Sequence, residues 1–304
     1  MNPLRRLFFK DNVIRTFFIT RLQPAEVEEK VFLKNGKANI DITTNHAMIC
    51  LDPFCVAAWI RSKDAANLDH QQATIQFKKG NKLNASIQVS LIEKTDTQKG
   101  ILLLYKVEKV KNYQLSILQR LVFFGWLIRS KKNTFYSREV TSALYSYPRN
   151  IIIVSYSDKE YTNIFPMDIH GYIAEENMYL LGLRTTNLTL DKILEAKRVV
   201  VSDTDSVDLA TVYNLGKHSS KSPAQKDELP FGTIESEHFG FPVPDFTGSY
   251  KEIEIVRNRK MGFHMLMIGH VVNAKQLKPN PTSLYHVGFL QFKTGNYASI
   301  EGLF

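Results

Sequence analysis

Short apolar runs separated by turn residues make up the chain between residues 30 and 110. The turn pairs Asn35-Gly36 and Gly80-Asn81 stand between runs that alternate apolar and polar positions. Such pairs between alternating runs are typical of β-hairpins, so the pattern predicts a small all-β domain. The predicted strands cover residues 30–33, 38–44, 46–51, 55–60, 73–77, 85–93 and 100–110.

The pattern then changes to a helical period. In the segment 112–130, apolar residues recur on one stripe, while Arg120 and Arg129 lie off it. The next segment starts at Ser137, a residue type that caps helices, and Pro148 ends it. The sequence therefore predicts a pair of helices that joins two β-rich halves. The apolar stripe consists of Leu115, Leu118, Leu121, Val122, Trp126 and Leu127.

The second half begins with residues 150–157, whose nearly continuous apolar character fits a strand covered on both faces. One short helix is predicted over 189–197, with Thr189 as its cap and Asp191 in its first turn. Many strands and few short helices indicate a β-barrel with peripheral helices. No internal repeat is evident. The further predicted strands are 171–174, 178–183, 198–202, 250–259, 264–277 and 284–292.

Composition and charge indicate a folded molecule with uneven charge. The 304 residues are 44% hydrophobic and 23% charged, which predicts a globular protein of two domains. Residues 1–150 hold 24 Lys and Arg against 12 Asp and Glu, whereas residues 151–304 hold 15 against 18. The basic first half is either a solvated face or a surface for an acidic partner, and both readings stay open. The predicted division is an N-terminal β-rich basic domain (1–112), a helical linker (113–147) and a second β-rich domain (148–304).

Several classes of function find no support. Cys50 and Cys55 have no second pair and no nearby His at metal-site spacing, so two buried reduced thiols are expected rather than a zinc site. No signal peptide is indicated, and the apolar run 121–128 is far too short for a membrane helix, so a cytoplasmic protein is expected. No serine has the Gly pattern of a hydrolase nucleophile, and the eight His include no pair at helical metal spacing.

Two segments of the second half carry polar groups suited to a phosphate ligand. The segment 184–187 (Arg-Thr-Thr-Asn) precedes the predicted helix start at Thr189. An Arg, several hydroxyls and free backbone N–H groups at a helix start can hold a phosphate. The segment 162–167 (Thr-Asn-Ile-Phe-Pro-Met) follows a buried strand and sets Thr and Asn beside Pro and Met. Taken alone, a Thr- and Asn-rich segment of this kind is more often ordinary turn and cap chemistry.

The order of these segments resembles that of the flavin reductase-like family, which has the FMN-binding split-barrel fold. The resemblance covers most of residues 148–290 and rests on short motifs in a shared order. The motifs are PRNIIIVSYS (148–157), TNIFPMD (162–168), LLGLRTTNLTLDKILEAKRVVVS (180–202), FHMLMIGHVV (263–272) and LYHVGFL (284–290).

The resemblance implies that FMN lies in a groove between loops 162–168 and 184–189, in a homodimer whose second subunit completes the site. The first loop would bind the flavin edge or ribityl chain, and the second would bind the phosphate. The polar loop near His218 either adds phosphate contacts or is solvated, and His264 is either a structural partner or an acid. The implied cofactor-binding residues are Thr162, Asn163, Ile164, Phe165, Pro166, Met167, Arg184, Thr185, Thr186, Asn187, Thr189, Ser219 and Lys221.

The implied activity is hydride transfer from NAD(P)H to FMN, with electrons passed on to a small-molecule acceptor. Three features depart from the family pattern. Asp168 replaces a small hydroxyl residue, Glu175 and Glu176 replace paired prolines, and the basic first half has no counterpart. An alternative is therefore a non-catalytic flavin-binding or sensor module whose basic N-terminal domain docks a partner, with nucleic acid not expected. A third possibility is a β protein without a cofactor.

Overall fold

The computed structural model describes residues 3–9, 14–36, 38–65, 69–128, 133–218, 222–223, 229–295 and 297–298. These residues form mainly antiparallel β-sheets with a few short helices, as the sequence predicts. Within the described ranges, no helix has both the length and the apolar character needed to cross a membrane.

The first half folds around one seven-stranded antiparallel sheet. Its elements are α1 (Pro3–Phe9), β1 (Phe17–Leu22), β2 (Glu29–Asn35), β3 (Ala38–Asp41), β4 (His46–Leu51), β5 (Phe54–Arg61), α2 (Ser62–Ala65), β6 (Gln72–Lys79), β7 (Lys82–Asp96) and β8 (Gly100–Asn112). The strand order is β3-β2-β6-β7-β8-β5-β4. Gly36 and Gly80 have φ of 55°, the left-handed conformation that favours glycine in tight turns. The turns predicted at these two glycines therefore form where the sequence placed them.

Two helices follow the first sheet, α3 (Ile117–Leu127) and α4 (Phe135–Leu144). The cap of α4 is Thr134, whose hydroxyl accepts from the Ser137 backbone N–H at 3.0 Å, so the predicted cap at Ser137 is wrong by one turn. The predicted apolar stripe of α3 is also largely wrong. Its members Leu118 and Leu121 are exposed, and the buried face consists of Phe123, Phe124 and Leu127.

The second half contains another seven-stranded antiparallel sheet. Its elements are β9 (Arg149–Asn150), β10 (Ile152–Ser157), β11 (Thr162–Met167), β12 (His170–Ile173), β13 (Met178–Arg184), α5 (Leu190–Ala196), β14 (Arg198–Ser202), α6 (Leu209–His218), β15 (Thr233–Glu235), β16 (Pro242–Pro244), β17 (Ser249–Met261), β18 (His264–Gln276), β19 (Ser283–Gly288) and α7 (Phe289–Thr294). The strand order is β11-β10-β14-β17-β18-β13-β12. The predicted strand 284–292 ends at Gly288 and continues as α7.

The two seven-stranded sheets repeat one topology. Strands β2 to β8 correspond in chain order to β10, β11, β12, β13, β14, β17 and β18, and the two spatial orders are then identical. The short helix α2 also corresponds to α5, since each lies between the fourth and fifth strands of its half. The sequence showed no repeat because corresponding positions share only apolar or polar character.

Corresponding strands of the two halves pack against each other. A buried cluster joins β4, β5 and β8 of the first half to β12, β13 and β18 of the second. Gly182 marks how closely the halves approach, because a Cβ built there would lie 2.5 Å from the Ile49 carbonyl oxygen. The halves therefore share one apolar junction. The cluster consists of Ala47, Ile49, Cys50, Cys55, Ala57, Trp59, Leu102, Leu104, Ile173, Met178, Leu180, Met261, Leu266 and Ile268.

A half-buried histidine near this junction makes the stability depend on pH. His170 contacts the Asn150 carbonyl oxygen through Nε2 at 3.1 Å and the Tyr179 hydroxyl through Nδ1 at 3.0 Å. Burial lowers the pKa of His170 to about 4, against about 6.5 in an unfolded chain. The unfolded state therefore binds the proton first, and stability falls with pH through the window between these two values.

We expect titration of His170 to lower the unfolding free energy by about 2 kcal/mol when the pH falls from 7 to 5. Urea unfolding curves at the two pH values measure this loss. The variant His170→Gln cannot gain the proton and should show a shallower pH dependence than the unchanged protein. Equal slopes for the two proteins would contradict the assignment.

Candidate functional site

A cavity of about 1130 Å³ lies at the junction of the two halves. The second half contributes the ends of β11 and β13 and the β17–β18 turn. The first half contributes the β4–β5 turn and β8, and α4 forms a further wall. This volume is at the upper end of what ligand pockets in proteins offer, so a ligand of cofactor size fits.

The predicted loop 162–167 is a strand, β11, which pairs antiparallel with β10. The side chains of β11 lie in different environments. Ile164 is fully buried in a core with α6, while Phe165, Pro166 and Met167 line the cavity. The Thr162 hydroxyl lies 2.8 Å from that of Ser157, outside the cavity lining.

The two predicted segments are in direct contact. The Asn163 side-chain amide donates to the Thr189 hydroxyl at 2.7 Å, and both residues are buried. Neither of them lines the cavity, so their contact braces the wall instead of facing a ligand. The structure thus brings the segments together through residues that sequence reasoning had assigned to the ligand.

Arg184, Thr186 and Asn187 line the cavity beside β13, whereas Thr185 does not. The Arg184 guanidinium is exposed and makes no hydrogen bond or ion pair with any described residue. A cation without a partner at a cavity rim suits an anionic group of a ligand.

The start of the predicted helix is partly closed by its own segment. Thr189 precedes α5, but its side chain makes no cap hydrogen bond. Asn187 takes that role, since its side-chain oxygen accepts from the Thr189 N–H at 2.8 Å and its carbonyl accepts from the Leu190 N–H at 3.2 Å. These two N–H groups are therefore already used, and binding of a phosphate at this helix start stays a prediction. Among the cavity-lining residues of this segment, the Arg184 and Thr186 side chains remain open to an anion.

The other predicted phosphate contacts, Ser219 and Lys221, lie outside the described residues. His218 ends α6, and its side chain lies outside the described part of the chain as well.

His264 lies in the cavity wall and is 2% exposed. Its Nδ1 is 3.5 Å from the Cys50 sulfur, and its buried Nε2 has no hydrogen-bond partner among the described residues. The Cys50 thiol donates to the Met261 carbonyl, so its sulfur is free to accept from Nδ1–H of a neutral His264. Nε2 is then a buried acceptor in the cavity wall without a hydrogen-bond partner among the described residues.

The two cysteines form a cross-strand pair behind His264. Cys50 on β4 stands opposite Cys55 on β5, and both are fully buried free thiols, as expected from the sequence. The hydrogen bond from Cys55 lowers the pKa of the Cys50 thiol. Sequence reasoning placed His264 near the ligand but missed the thiol behind it, because only the packing of the two halves brings β4 to β18.

Asp168 is a cavity-lining carboxylate whose charge is neutralised locally. Its Oδ2 accepts from the Tyr145 hydroxyl at 2.6 Å and from His286 Nδ1 at 2.7 Å. Burial disfavours the charge, but these partners and Arg149 outweigh it and hold the pKa of Asp168 well below its usual range. Pairing therefore reduces the repulsion that a bare carboxylate at this position would exert on an anionic ligand.

Part of the cavity wall had no signal in the sequence. Residues 51–54 of the first half, Lys106 and Glu108 of β8 and Tyr145 after α4 all line the cavity. They are far in sequence from the second-half motifs, and their residue types are ordinary for turns, strand surfaces and helix ends. Only the contact between the halves reveals them.

No protein-family model matches the chain, and no curated protein matches it. Similar solved structures include an FMN-binding protein from Thermus thermophilus with bound 1-cyclohex-2-enone, at 22% identity over 52% of this chain and 90% of that one, with a TM-score of 0.42. Another is an NADH:FAD oxidoreductase from Streptomyces globisporus, at 12% identity over 54% and 93%, with a TM-score of 0.44. A flavoredoxin from Methanosarcina acetivorans matches at 16% identity over 50% and 88%, with a TM-score of 0.39. About half of the chain thus resembles flavin-binding proteins, as its motifs predict.

Proposed function

We propose that the protein is an FMN-binding oxidoreductase of the flavin reductase class, with its flavin in the cavity at the junction of the halves. The observation that carries the proposal is that one cavity wall holds an Arg184 guanidinium and a His264 Nε2 that both lack a partner among the described residues. In this proposal the second sheet is the FMN-binding split barrel, and the domain limits are those predicted from the sequence.

The polar rim of the cavity fits the phosphate of FMN. Arg184 supplies a permanent positive charge, and Thr186 beside it supplies a hydroxyl donor. Hydrogen bonds to charged groups contribute about 1.5 to 3 kcal/mol each, so two such contacts support micromolar binding when the ring is also buried.

The apolar part of the wall fits the flavin ring. Phe165, Pro166 and Met167 follow one another at the end of β11 and present carbon and sulfur surface to the cavity. Burial of apolar ring surface against such a wall is favourable, and Pro166 keeps the strand end rigid. These side chains would hold the ring and exclude water from its face.

Bound FMN would supply the redox chemistry, accepting a hydride from NADH or NADPH and passing electrons to an acceptor. The chain would bind, orient and desolvate the two rings and would provide no nucleophile. His264 Nε2 would accept a hydrogen bond from the ligand, while Asp168, paired with Tyr145 and His286, would hold the wall beside the ring.

Absorbance spectroscopy of the purified protein tests the proposal. We expect FMN to bind with a shift of its visible bands, and NADH or NADPH to be consumed when FMN is present. Bound FMN without consumption of either nicotinamide would leave a flavin-binding protein that is not a reductase. Failure to bind FMN at all would remove the proposal.

The alternative function is a non-catalytic flavin-binding or sensor module whose basic first half docks an acidic partner. The feature that favours it is the excess of Lys and Arg in residues 1–150, including the exposed Lys109 and Lys111 on β8. Binding to an anionic partner should then weaken steeply as salt is added. Two results together would count against this alternative. The protein would oxidise NAD(P)H, and its retention on an anionic resin would be the same with and without bound FMN.

A further inference from the structure

The repeated topology allows residues of the two halves to be matched one to one. Arg61 ends β5 and pairs with Gly100 of β8, while Arg184 ends β13 and pairs with His264 of β18. The next residue of each half makes the same hydrogen bond. The Ser62 N–H donates to the Lys99 carbonyl at 3.1 Å, and the Thr185 N–H donates to the Phe263 carbonyl at 2.9 Å.

The junction between the halves has the form of a twofold interface. Counting back from the two arginines, Cys55 corresponds to Met178 and Ala57 to Leu180. Both members of each pair belong to the same buried cluster at the junction. Self-complementary contacts of this kind are typical of the interface in a symmetric dimer. In this protein, that interface lies within one chain.

A twofold arrangement generates two corresponding sites. The cavity at the second-half strand end measures about 1130 Å³, while the one at the first-half strand end measures about 410 Å³. At the larger site, the β4–β5 turn is the two residues Asp52-Pro53, and the Asp52 carbonyl accepts from the Phe263 N–H at 3.0 Å. This short turn lacks any side chain that reaches Arg184, so the guanidinium faces the cavity without a partner.

At the corresponding site, the β12–β13 turn is longer and acidic. It spans residues 174–177, and its Glu175 carboxylate lies 3.2 Å from the Arg61 guanidinium. The Glu176 carboxylate accepts from the Lys99 N–H at 2.7 Å and from the Thr97 hydroxyl at 2.6 Å. Two carboxylates therefore occupy the place that an anionic ligand takes at the larger site.

We propose that one chain is a complete flavin-binding unit, in which the first half takes the place of a second subunit and the Glu175–Glu176 turn fills the anion position of the second, smaller site. This inference rests on the proposed function. One chain binds one FMN, and no second copy contributes to the site. It also gives the basic first half a function, since its β4–β5 turn and β8 form half of the cavity wall.

Titration of FMN at several protein concentrations, followed by sedimentation of the same samples, tests the inference. We expect one FMN per chain and an affinity that does not change when the protein is diluted. Two FMN per chain, or half of one, would overturn it, and so would an affinity that falls on dilution together with dissociation of a dimer.

The sedimentation measurement separates this inference from the proposed function. A chain that binds no FMN but sediments as a monomer contradicts the proposed flavin and leaves the fused arrangement supported. A chain that binds FMN only as a dimer contradicts the fused arrangement and leaves the flavin supported.

Discussion

We expect the replacement of Arg184 with alanine to weaken the proposed binding of FMN about tenfold to a hundredfold. The guanidinium stands at the cavity rim without an ion-pair partner among the described residues, so its removal costs the folded chain no internal contact. A hydrogen bond to a charged group contributes about 1.5 to 3 kcal/mol, and 1.4 kcal/mol corresponds to a factor of ten in affinity. Fluorescence titration of FMN with the variant Arg184→Ala measures the loss.

Two controls separate a phosphate contact from a general disturbance. Arg61 ends the corresponding strand of the first half and pairs with Glu175, so the variant Arg61→Ala should bind FMN as tightly as the unchanged protein. Riboflavin has the same ring without the phosphate, and its affinity should be unaffected by Arg184→Ala. Equal losses for FMN and riboflavin would show that Arg184 does not bind the phosphate.

Most strands could be predicted because their signal is local. Alternation of apolar and polar residues with hairpin glycines at 36 and 80 depends on a few neighbouring positions, and the structure forms strands there. The segment 162–167 is predicted as part of a loop, but it forms the strand β11 in the structure. In the structure, β11 is the edge strand of its sheet, where a residue without an N–H is tolerated.

The site could be predicted only in part, for a physical reason. Arg184 and Thr186 are exposed at a strand end, so their chemistry is visible in the sequence. The partners of Asp168, Asn163 and Thr189 depend on which segments pack together. Sequence reasoning assigns Asn163 and Thr189 to the ligand, whereas in the structure they contact each other and Asp168 contacts Tyr145. The first-half wall depends on the contact between the halves, which no local pattern encodes.

The acidic turn at Glu175 and Glu176 illustrates the same limit. In the sequence these residues are only a departure from the family motif. In the structure they pair with Arg61, Thr97 and Lys99 of the first half. These contacts form only where the two halves meet, between residues that are more than seventy positions apart in the chain.

Replacing Gly182 with alanine should lower the unfolding free energy by about 3 kcal/mol, because overpacking at a site that cannot relax typically costs this much. The added Cβ would lie 2.5 Å from both the Ile49 carbonyl oxygen and the Ile169 side chain, and backbone cannot yield as a flexible side chain does. The clash pushes β13 away from β4, which separates the two halves and deforms the cavity wall that Gly182 lines. Urea unfolding measures the loss.

Gly125→Ala is the matched control. A Cβ there meets nothing within 4 Å, so this substitution should stabilise α3 by roughly 0.5 to 1 kcal/mol. An unfolding midpoint for Gly182→Ala equal to that of the unchanged protein would contradict the close junction on which the single-chain site depends.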